Sequence, residues 1–299
     1  MALAKTIGTL LLAAALGLGP GGTAGGPARA QTAAHDTGDA LGAVRAVFYH
    51  ELGHGLIDVL GLDVVGAEES VVDEFSTMLL ILQGRRDRRH LDALIAAARF
   101  WYLSGDPARA AAPYWASHEI GPARGFAVLC LMHGSDPARF HAALSELGVP
   151  GRRMKRCETE YAAKSAAWIN ILNPHVRPNA PAARQGRMVP AYGPAGTPET
   201  EGVRRIWQQA GFLEGLAAEA GAIFPLPAEM PLTARDCGEA NAFWDGQGIV
   251  LCYEMHAMIA GLFRSARGGD GPAPGSDGIA VQADGYSGSV NLRSLFEAE

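Results

Sequence analysis

Two histidines and a glutamate form the most informative motif of the chain, His50-Glu51-Leu52-Gly53-His54. On an α-helix, residues four apart lie on one face, so His50 and His54 can direct both imidazoles at a single ion. Glu51 lies one position around the helix, where its carboxylate can accept a proton from a metal-activated water without being a ligand. This H-E-x-x-H pattern is typical of zinc-assisted hydrolysis. We therefore expect one zinc ion, with Glu51 as general base.

A catalytic zinc ion normally takes a third protein ligand and keeps one open position. The extended pattern H-E-x-x-H-x-x-G-x-x-H is excluded, because the chain has Ile57 and Leu60 where that pattern requires Gly and His. The next helical segment begins with acids, and we predict Glu69 as the third ligand. Asp73, four residues later on the same face, is predicted to fix the tautomer of a ligand imidazole. The alternative third ligands are two neighbouring acids, Glu68 and Glu74.

An acid in this cluster can also cover the solvated face of the helix, or favour the helix N-terminus through the macrodipole. This is the interpretation that we prefer for Glu68.

Helical periodicity predicts the elements that position these residues. Apolar residues recur at three- and four-residue spacing from Leu41 to about Gly61, which gives the active-site helix. Further predicted helices span about 68–84, 88–103, 122–133, 137–147 and 155–172, so residues 41–173 read as a helical core. Residues 31–40 lack an apolar pattern and are expected to be a flexible start.

The composition changes after residue 173. Residues 174–200 contain six prolines and predict a linker or long loop. A helix at about 201–221 follows, then two extended runs at 230–237 and 248–253 that resemble neighbouring strands, and a helix at about 254–267. We expect residues 201–267 to complete the domain and residues 268–299 to be a flexible tail.

The first thirty residues have the layout of an export signal. Lys5 precedes an apolar run at 7–18, and Ala28-Arg29-Ala30 matches an A-x-A cleavage site. The run is shorter than the about twenty residues that span a bilayer; the alternative is an uncut membrane anchor. We expect a secreted or periplasmic protein that is not an integral membrane protein once the signal is removed.

In an oxidising compartment the four cysteines can form two disulfides. We favour local pairing within each half of the chain, Cys130 with Cys157 and Cys237 with Cys252. Their spacing fits no Cys-x-x-Cys zinc or redox motif.

The charge balance argues against nucleic acid as a partner. The chain has 25 Lys and Arg against 31 Asp and Glu, a net charge of −6, and no basic run is interleaved with aromatic residues.

Several segments together resemble a family of bacterial metallopeptidases, a domain of otherwise unknown function with gluzincin-like metal ligands. They are spread over most of residues 41–267: Phe48-Tyr-His-Glu-Leu-Gly-His-Gly-Leu-Ile-Asp58, Gly66-Ala-Glu-Glu-Ser-Val-Val-Asp73, Ser117-His-Glu119, Cys130-Leu-Met-His-Gly-Ser-Asp-Pro137, Arg156-Cys-Glu-Thr-Glu-Tyr161 with Trp168, Cys237-Gly-Glu-Ala-Asn-Ala-Phe243 and Leu251-Cys-Tyr-Glu254. The resemblance implies a zinc-dependent, peptidase-like domain. We accordingly predict a zincin-like α+β fold, mainly α, with an active-site helix and a small β-sheet.

The order of these segments departs from the family. There the Asn-Ala-Phe and Cys-Tyr-Glu segment precedes the H-E-x-x-H helix, whereas here it follows the Pro-rich stretch. We interpret this as a circular permutation, which a fold tolerates when its original termini are close and exposed. The alternative is a truncated second copy.

A further donor should stabilise the oxyanion that forms when a peptide carbonyl is attacked. His118, in a segment that matches the family, is the first candidate, and Tyr161 and Tyr253 are the alternatives. Asn241 can be either a turn residue or a group that binds substrate backbone.

The sequence supports two hypotheses for the function. The first is a zinc metallopeptidase that acts on peptides or proteins. The second is a catalytically silent envelope or exterior binding protein stabilised by zinc, since structural zinc can contribute folding energy. Glu51 favours the enzyme, because a structural site has no use for a general base beside its first ligand.

Overall fold

The long helix α1 (Pro27–Leu60) carries the H-E-x-x-H motif in its last third. The computed structural model describes residues 27–105, 121–177 and 179–267, with side chains from residue 38 onward. Residues 31–40, which we expected to be a flexible start, are helical and continue directly into the part of α1 that carries the motif. The sequence did not predict this, because the stretch has no apolar stripe and only three alanines among ten residues. The predicted cleavage site after Ala30 falls within α1, whereas the apolar run at 7–18 lies outside the described residues.

Five helices follow and agree closely with the sequence prediction. They are α2 (Glu68–Gly84), α3 (Arg89–Leu103), α4 (Gly121–Ser135), α5 (Pro137–Glu146) and α6 (Gly151–Leu172). Helix α6 begins four residues earlier than expected, immediately after the extended residue Pro150.

The Pro-rich segment is not only a linker, as we expected for residues 174–200. It contains a short 3-10 helix at Asn173–His175 and then strand β1 (Met188–Tyr192), and α7 (Pro198–Gln209) begins before it ends. Pro190 lies inside β1 and obscured the strand in the sequence. A proline is tolerated there because β1 is at the edge of the sheet.

The predicted helix at 201–221 is two helices, α7 and α8 (Phe212–Ile223). They are separated at Gly211, which has a φ of +57°. Glycine adopts this left-handed conformation without the steric cost that a Cβ would bring, so the chain turns there.

The sheet is completed by β2 (Met230–Arg235), β3 (Ala242–Trp244) and β4 (Ile249–Cys252), and α9 (Tyr253–Ala266) follows. The strand order is β1-β2-β4-β3. The two predicted strands, β2 and β4, are neighbours and run parallel, with Leu232 opposite Ile249. β3 pairs antiparallel with β4 and forms the other edge. It was not predicted, because three residues are too few to show an alternating pattern.

Two disulfides join nearby elements in the predicted pairing. Cys130–Cys157 links α4 to α6, and Cys237–Cys252 links the end of β2 to the end of β4.

The motif-bearing part of α1 is buried on nearly every side. Phe48, Tyr49, Leu52 and Leu56 are at most 1% exposed. On other faces of the helix, His50 and Glu51 are 6% and 8% exposed, so this part of α1 lies in the interior, between the other helices and the sheet. The fold is thus α+β and mainly α, with a small four-stranded sheet. Among the described residues, no helix is long and apolar enough to cross a membrane. The predicted tail at 268–299 lies outside the described residues.

Candidate metal centre

Close packing of α1 on α2 brings the motif histidines to the acidic helix. Residues 61–67 reverse the chain, with φ values of +61° at Gly61 and +129° at Gly66. The helices cross at Gly53, where a Cβ would lie 2.9 Å from Val72 and 3.0 Å from Phe75. A larger residue would therefore force the helices apart. Glycine at this position allows the short reach from the imidazoles to the carboxylates of α2.

The three predicted ligands converge on one point. Glu69 Oε2 lies 3.3 Å from His50 Nε2 and 3.7 Å from His54 Nε2. One potential ligand atom from each residue lies within 4.8 Å of the other two. Two Nε2 atoms and one carboxylate oxygen are thus gathered from adjacent turns of α1 and the first turn of α2.

Each imidazole is oriented by a carboxylate on its other nitrogen. Asp73 Oδ1 lies 2.8 Å from His50 Nδ1, and Glu68 Oε1 lies 2.6 Å from His54 Nδ1. An ionised carboxylate can only accept a hydrogen bond, so we infer that each Nδ1 carries a proton, which leaves Nε2 as the nitrogen that a metal would bind. Asp73 contacts an imidazole as predicted. Glu68, which we expected to be merely solvated, orients the second histidine.

Glu74, the other alternative ligand, is engaged on a different side of α2. Its carboxylate pairs with Lys164 and accepts a hydrogen bond from Trp168 Nε1 at 2.9 Å, both on α6. It therefore ties α2 to α6.

Asp73 is held by a buried arginine as well as by His50. Arg124 donates from Nε to Oδ2 and from Nη2 to Oδ1, both at 2.6 Å. Burial raises the pKa of Asp73, but the hydrogen bonds from His50 and Arg124 outweigh it and hold the pKa below its ordinary value. Sequence reasoning missed Arg124, because nothing local marks it out among the arginines of the chain.

Glu51 follows His50 in α1, is only 8% exposed, and interacts electrostatically with His50, His54 and Glu69. Its Oε2 accepts a hydrogen bond from the backbone N–H of Trp244, in β3, at 3.0 Å. Burial raises the pKa of Glu51, and the opposing effects of His50, His54 and the Trp244 N–H do not cancel it. A carboxylate with a raised pKa is better suited to accept a proton near neutral pH.

These residues fit a divalent metal ion. Two imidazoles and one carboxylate are a recognised ligand set for catalytic zinc. Burial lowers the pKa of His50, but its contacts with Asp73 and Glu69 raise the pKa to about 9. The centre thus favours positive charge. A chance match with solvent-facing histidines does not agree with a His50 that is 6% exposed.

The two predicted oxyanion donors that the structure describes have their hydrogen-bond partners outside this cluster. His118 lies outside the described residues. Tyr253 donates to the carbonyl oxygen of Gly193 at 3.1 Å, and Tyr161 accepts from Arg85 at 3.2 Å. The side chain of Asn241 accepts from the N–H of Ala242 at 2.9 Å, so it makes a local turn contact.

Comparison with known proteins agrees with the geometry. A family model described as "Putative metallopeptidase" matches residues 26–172 and 192–275, most of the chain, so the chain belongs to that family. No curated protein and no solved structure matches the chain. The family description implies a metal and a hydrolase acting on peptides or proteins. The gap between the two matched stretches falls in the Pro-rich segment, and the permuted order stays a prediction.

Proposed function

We propose that the protein is a zinc-dependent peptidase whose metal ligands are His50, His54 and Glu69. The observation that carries the proposal is the placement of Glu69 Oε2 within 3.7 Å of both Nε2 atoms, with Glu51 adjacent. Glu68 and Asp73 support it, because ligand imidazoles usually donate their other nitrogen to a carboxylate.

Glu51 is the proposed general base. When bound, zinc would polarise a scissile carbonyl and lower the pKa of water to about 7. Glu51 would accept the proton from the attacking water and deliver it to the leaving amine. The hydrogen bond from Trp244 N–H fixes one oxygen of the carboxylate and leaves the other to hold the proton.

The outer edge of strand β3 faces the candidate centre and holds the proposed general base in place. The strand is paired with β4 on one side, where Asn241 O accepts from Cys252 N and Asp245 N donates to Gly248 O. On the other side, Trp244 N–H reaches Glu51. In an antiparallel pair, the hydrogen-bonding groups of alternate residues point to opposite sides of the strand. Residues 241 and 245 therefore face β4, and Trp244 faces the side on which the candidate centre lies. Both outward N–H groups of β3 have partners: that of Ala242 donates to Asn241 Oδ1, and that of Trp244 donates to Glu51 Oε2.

We also propose that the protein works outside the cytoplasm, secreted or in the periplasm. The two disulfides support this, because such bonds persist in oxidising compartments. The export-signal layout of residues 1–30 agrees with it.

A direct test is cleavage of a peptide library by the zinc-loaded protein. We expect cleavage that a chelator abolishes and added zinc restores. Glu51→Gln should retain zinc and lose cleavage. Glu74→Gln is the matched control, since Glu74 lies on the same helix as Glu69 but binds α6, and it should keep both properties. Zinc retention without cleavage by the parent protein would instead support the catalytically silent binding protein.

A further inference from the structure

A buried arginine lies behind the candidate centre and contacts it through Asp73. Arg124, near the start of α4, is 8% exposed. Its Nη2 donates to Asp73 Oδ1, the same oxygen that lies 2.8 Å from His50 Nδ1. A single carboxylate oxygen thus joins the guanidinium to a proposed ligand imidazole.

The geometry fixes the orientation of that carboxylate. Two N–H groups of Arg124 grip the two oxygens of Asp73 at 2.6 Å each, so the carboxylate plane cannot rotate freely. The backbone carbonyl of Asp73 is also held, by the hydroxyls of Ser76 at 3.0 Å and Thr77 at 2.8 Å. Asp73 is therefore constrained at both its side chain and its backbone.

Arg124 is itself braced by an aromatic ring. Its guanidinium carbon lies 3.5 Å from the centre of the Trp101 ring, on α3. Such stacking is favourable, and more so when water is excluded. Beside the ring is a void of about 20 Å³ that Asp73 and His50 also line. A void of this size accommodates about one water molecule.

We propose that Arg124 is a positioning residue of the metal centre, which clamps Asp73 and thereby fixes the direction in which His50 presents Nε2 to the ion. The inference rests on the proposed function, since it requires the ion to bind His50, His54 and Glu69. Groups that orient metal ligands commonly change metal affinity 10- to 100-fold. Arg124 contacts the orienting carboxylate of Asp73 and not the ligand imidazole itself, so we expect its loss to weaken zinc binding by about tenfold, the lower end of this range.

The chain offers a matched control in Arg99. Its side chain is 13% exposed, donates to Asp39 Oδ2 at 2.7 Å and lies 4.5 Å from the centre of the Phe263 ring. Arg99 thus also has a carboxylate partner and an aromatic neighbour, although Asp39, at 36% exposed, is less buried than Asp73. Its partner Asp39 is eleven residues before His50 on α1, three helical turns away.

The experiment measures zinc dissociation constants by chelator competition for Arg124→Lys and Arg99→Lys. Lysine keeps the charge but cannot grip both carboxylate oxygens. We expect zinc affinity to fall about tenfold in Arg124→Lys and to change less than about twofold in Arg99→Lys. The visible spectrum of the cobalt-loaded protein should change in the first variant alone, because it reports ligand geometry.

A double-mutant cycle with Asp73→Asn tests whether Arg124 affects zinc binding through Asp73. If Arg124 acts through Asp73, Arg124→Lys should alter zinc affinity less than about twofold in the Asp73→Asn background. A Trp101→Leu variant removes the aromatic ring that stacks on Arg124 but keeps the charges of Arg124 and Asp73. It should also weaken zinc binding, and it replaces Arg124→Lys in the test if that variant does not fold.

The outcomes separate the two proposals. Equal zinc affinities in the Arg124 and Arg99 variants, or an undiminished Arg124 effect in the Asp73→Asn background, would overturn the positioning role and leave the peptidase proposal standing. A parent protein that takes up no zinc would overturn both.

Discussion

The backbone N–H of Trp244 donates a hydrogen bond to Glu51 Oε2 at 3.0 Å, across 193 residues of sequence. The indole of the same tryptophan donates from Nε1 to Asp58 Oδ2 at 3.2 Å. Between them, a Cβ on Gly55 would lie only 3.1 Å from the Trp244 ring. One residue of β3 therefore contacts three successive turns of α1. Strand β3 thus packs on the motif-bearing helix within the same chain.

The spacing of α1 and α2 should control both stability and metal binding. Gly53→Ala places a methyl group 2.9 Å from Val72 and 3.0 Å from Phe75, so the helices must separate. Overpacking of this kind typically costs about 1–3 kcal/mol. We expect a lower free energy of unfolding in a denaturant titration, and weaker zinc binding because Glu69 moves away from the imidazoles.

The control is the same substitution earlier in the same helix. A Cβ on Gly38 meets no atom within 4 Å. Gly38→Ala should therefore be neutral or stabilise by up to about 1 kcal/mol, with unchanged zinc affinity. Equal decreases in the free energy of unfolding and in zinc affinity for Gly53→Ala and Gly38→Ala would show that helix spacing at Gly53 is unimportant.

Glu69 and Glu74 should behave oppositely. Glu69→Gln removes a proposed ligand, so zinc affinity should fall by more than about 100-fold, the upper range for groups that only orient ligands. Glu74→Gln weakens the pair with Lys164. It should reduce the free energy of unfolding by about 1 kcal/mol and leave zinc binding intact. Zinc titration and chemical denaturation of both variants test this, and lost zinc binding in the Glu74 variant would reassign the third ligand.

The two orienting acids should differ in importance. The Asp73 side chain is 25% exposed and also clamped by Arg124, whereas that of Glu68 is 55% exposed. Solvent can replace Glu68 more easily as a partner for Nδ1. We expect Asp73→Asn to weaken zinc binding by about 10- to 100-fold and Glu68→Gln by less than about tenfold. The reverse order in chelator competition would contradict this account of the imidazoles.

His256 should make the fold sensitive to acid. It is 2% exposed and accepts a hydrogen bond at Nδ1 from Trp207 Nε1 at 3.2 Å. Burial lowers its pKa to about 4 from the ordinary value of 6.5. Between these values the unfolded chain binds a proton that the folded chain does not. The contribution of His256 to stability is therefore present above pH 6.5 and is lost as pH falls toward 4, about 3 kcal/mol in total.

The measurement is the free energy of unfolding from pH 7 to pH 4.5 in the presence of chelator, so that metal release does not contribute. His256→Asn keeps an acceptor near the Nδ1 position but does not titrate. We expect a shallower loss of stability in the variant. Identical slopes would mean that His256 is protonated as readily in the folded protein as in the unfolded one.

Much of the centre could be predicted because it is local. The spacing of His50 and His54 on one helix, and of Glu69 and Asp73 on the next, follows from helical geometry alone. A short connection between two helices then makes them antiparallel neighbours.

The contacts that complete the centre could not be read from the sequence. Arg124 and Trp244 reach Asp73 and Glu51 only through the packing of α4 and β3 against the core. Strand β1 was not predicted because it contains Pro190, which cannot donate a ladder hydrogen bond. The missing donor is tolerated because β1 lies at the edge of the sheet. The early start of α1 was not predicted, because residues 31–40 show no apolar stripe.

The most direct test of the metal centre is zinc-edge X-ray absorption on the zinc-loaded protein, which reports the atoms bound to the ion and their distances. The account predicts two imidazole nitrogens at about 2.0–2.1 Å, with oxygen from one carboxylate and water completing a four-coordinate site. Sulfur in the coordination sphere, an all-oxygen site or fewer than two imidazoles would contradict binding by His50, His54 and Glu69.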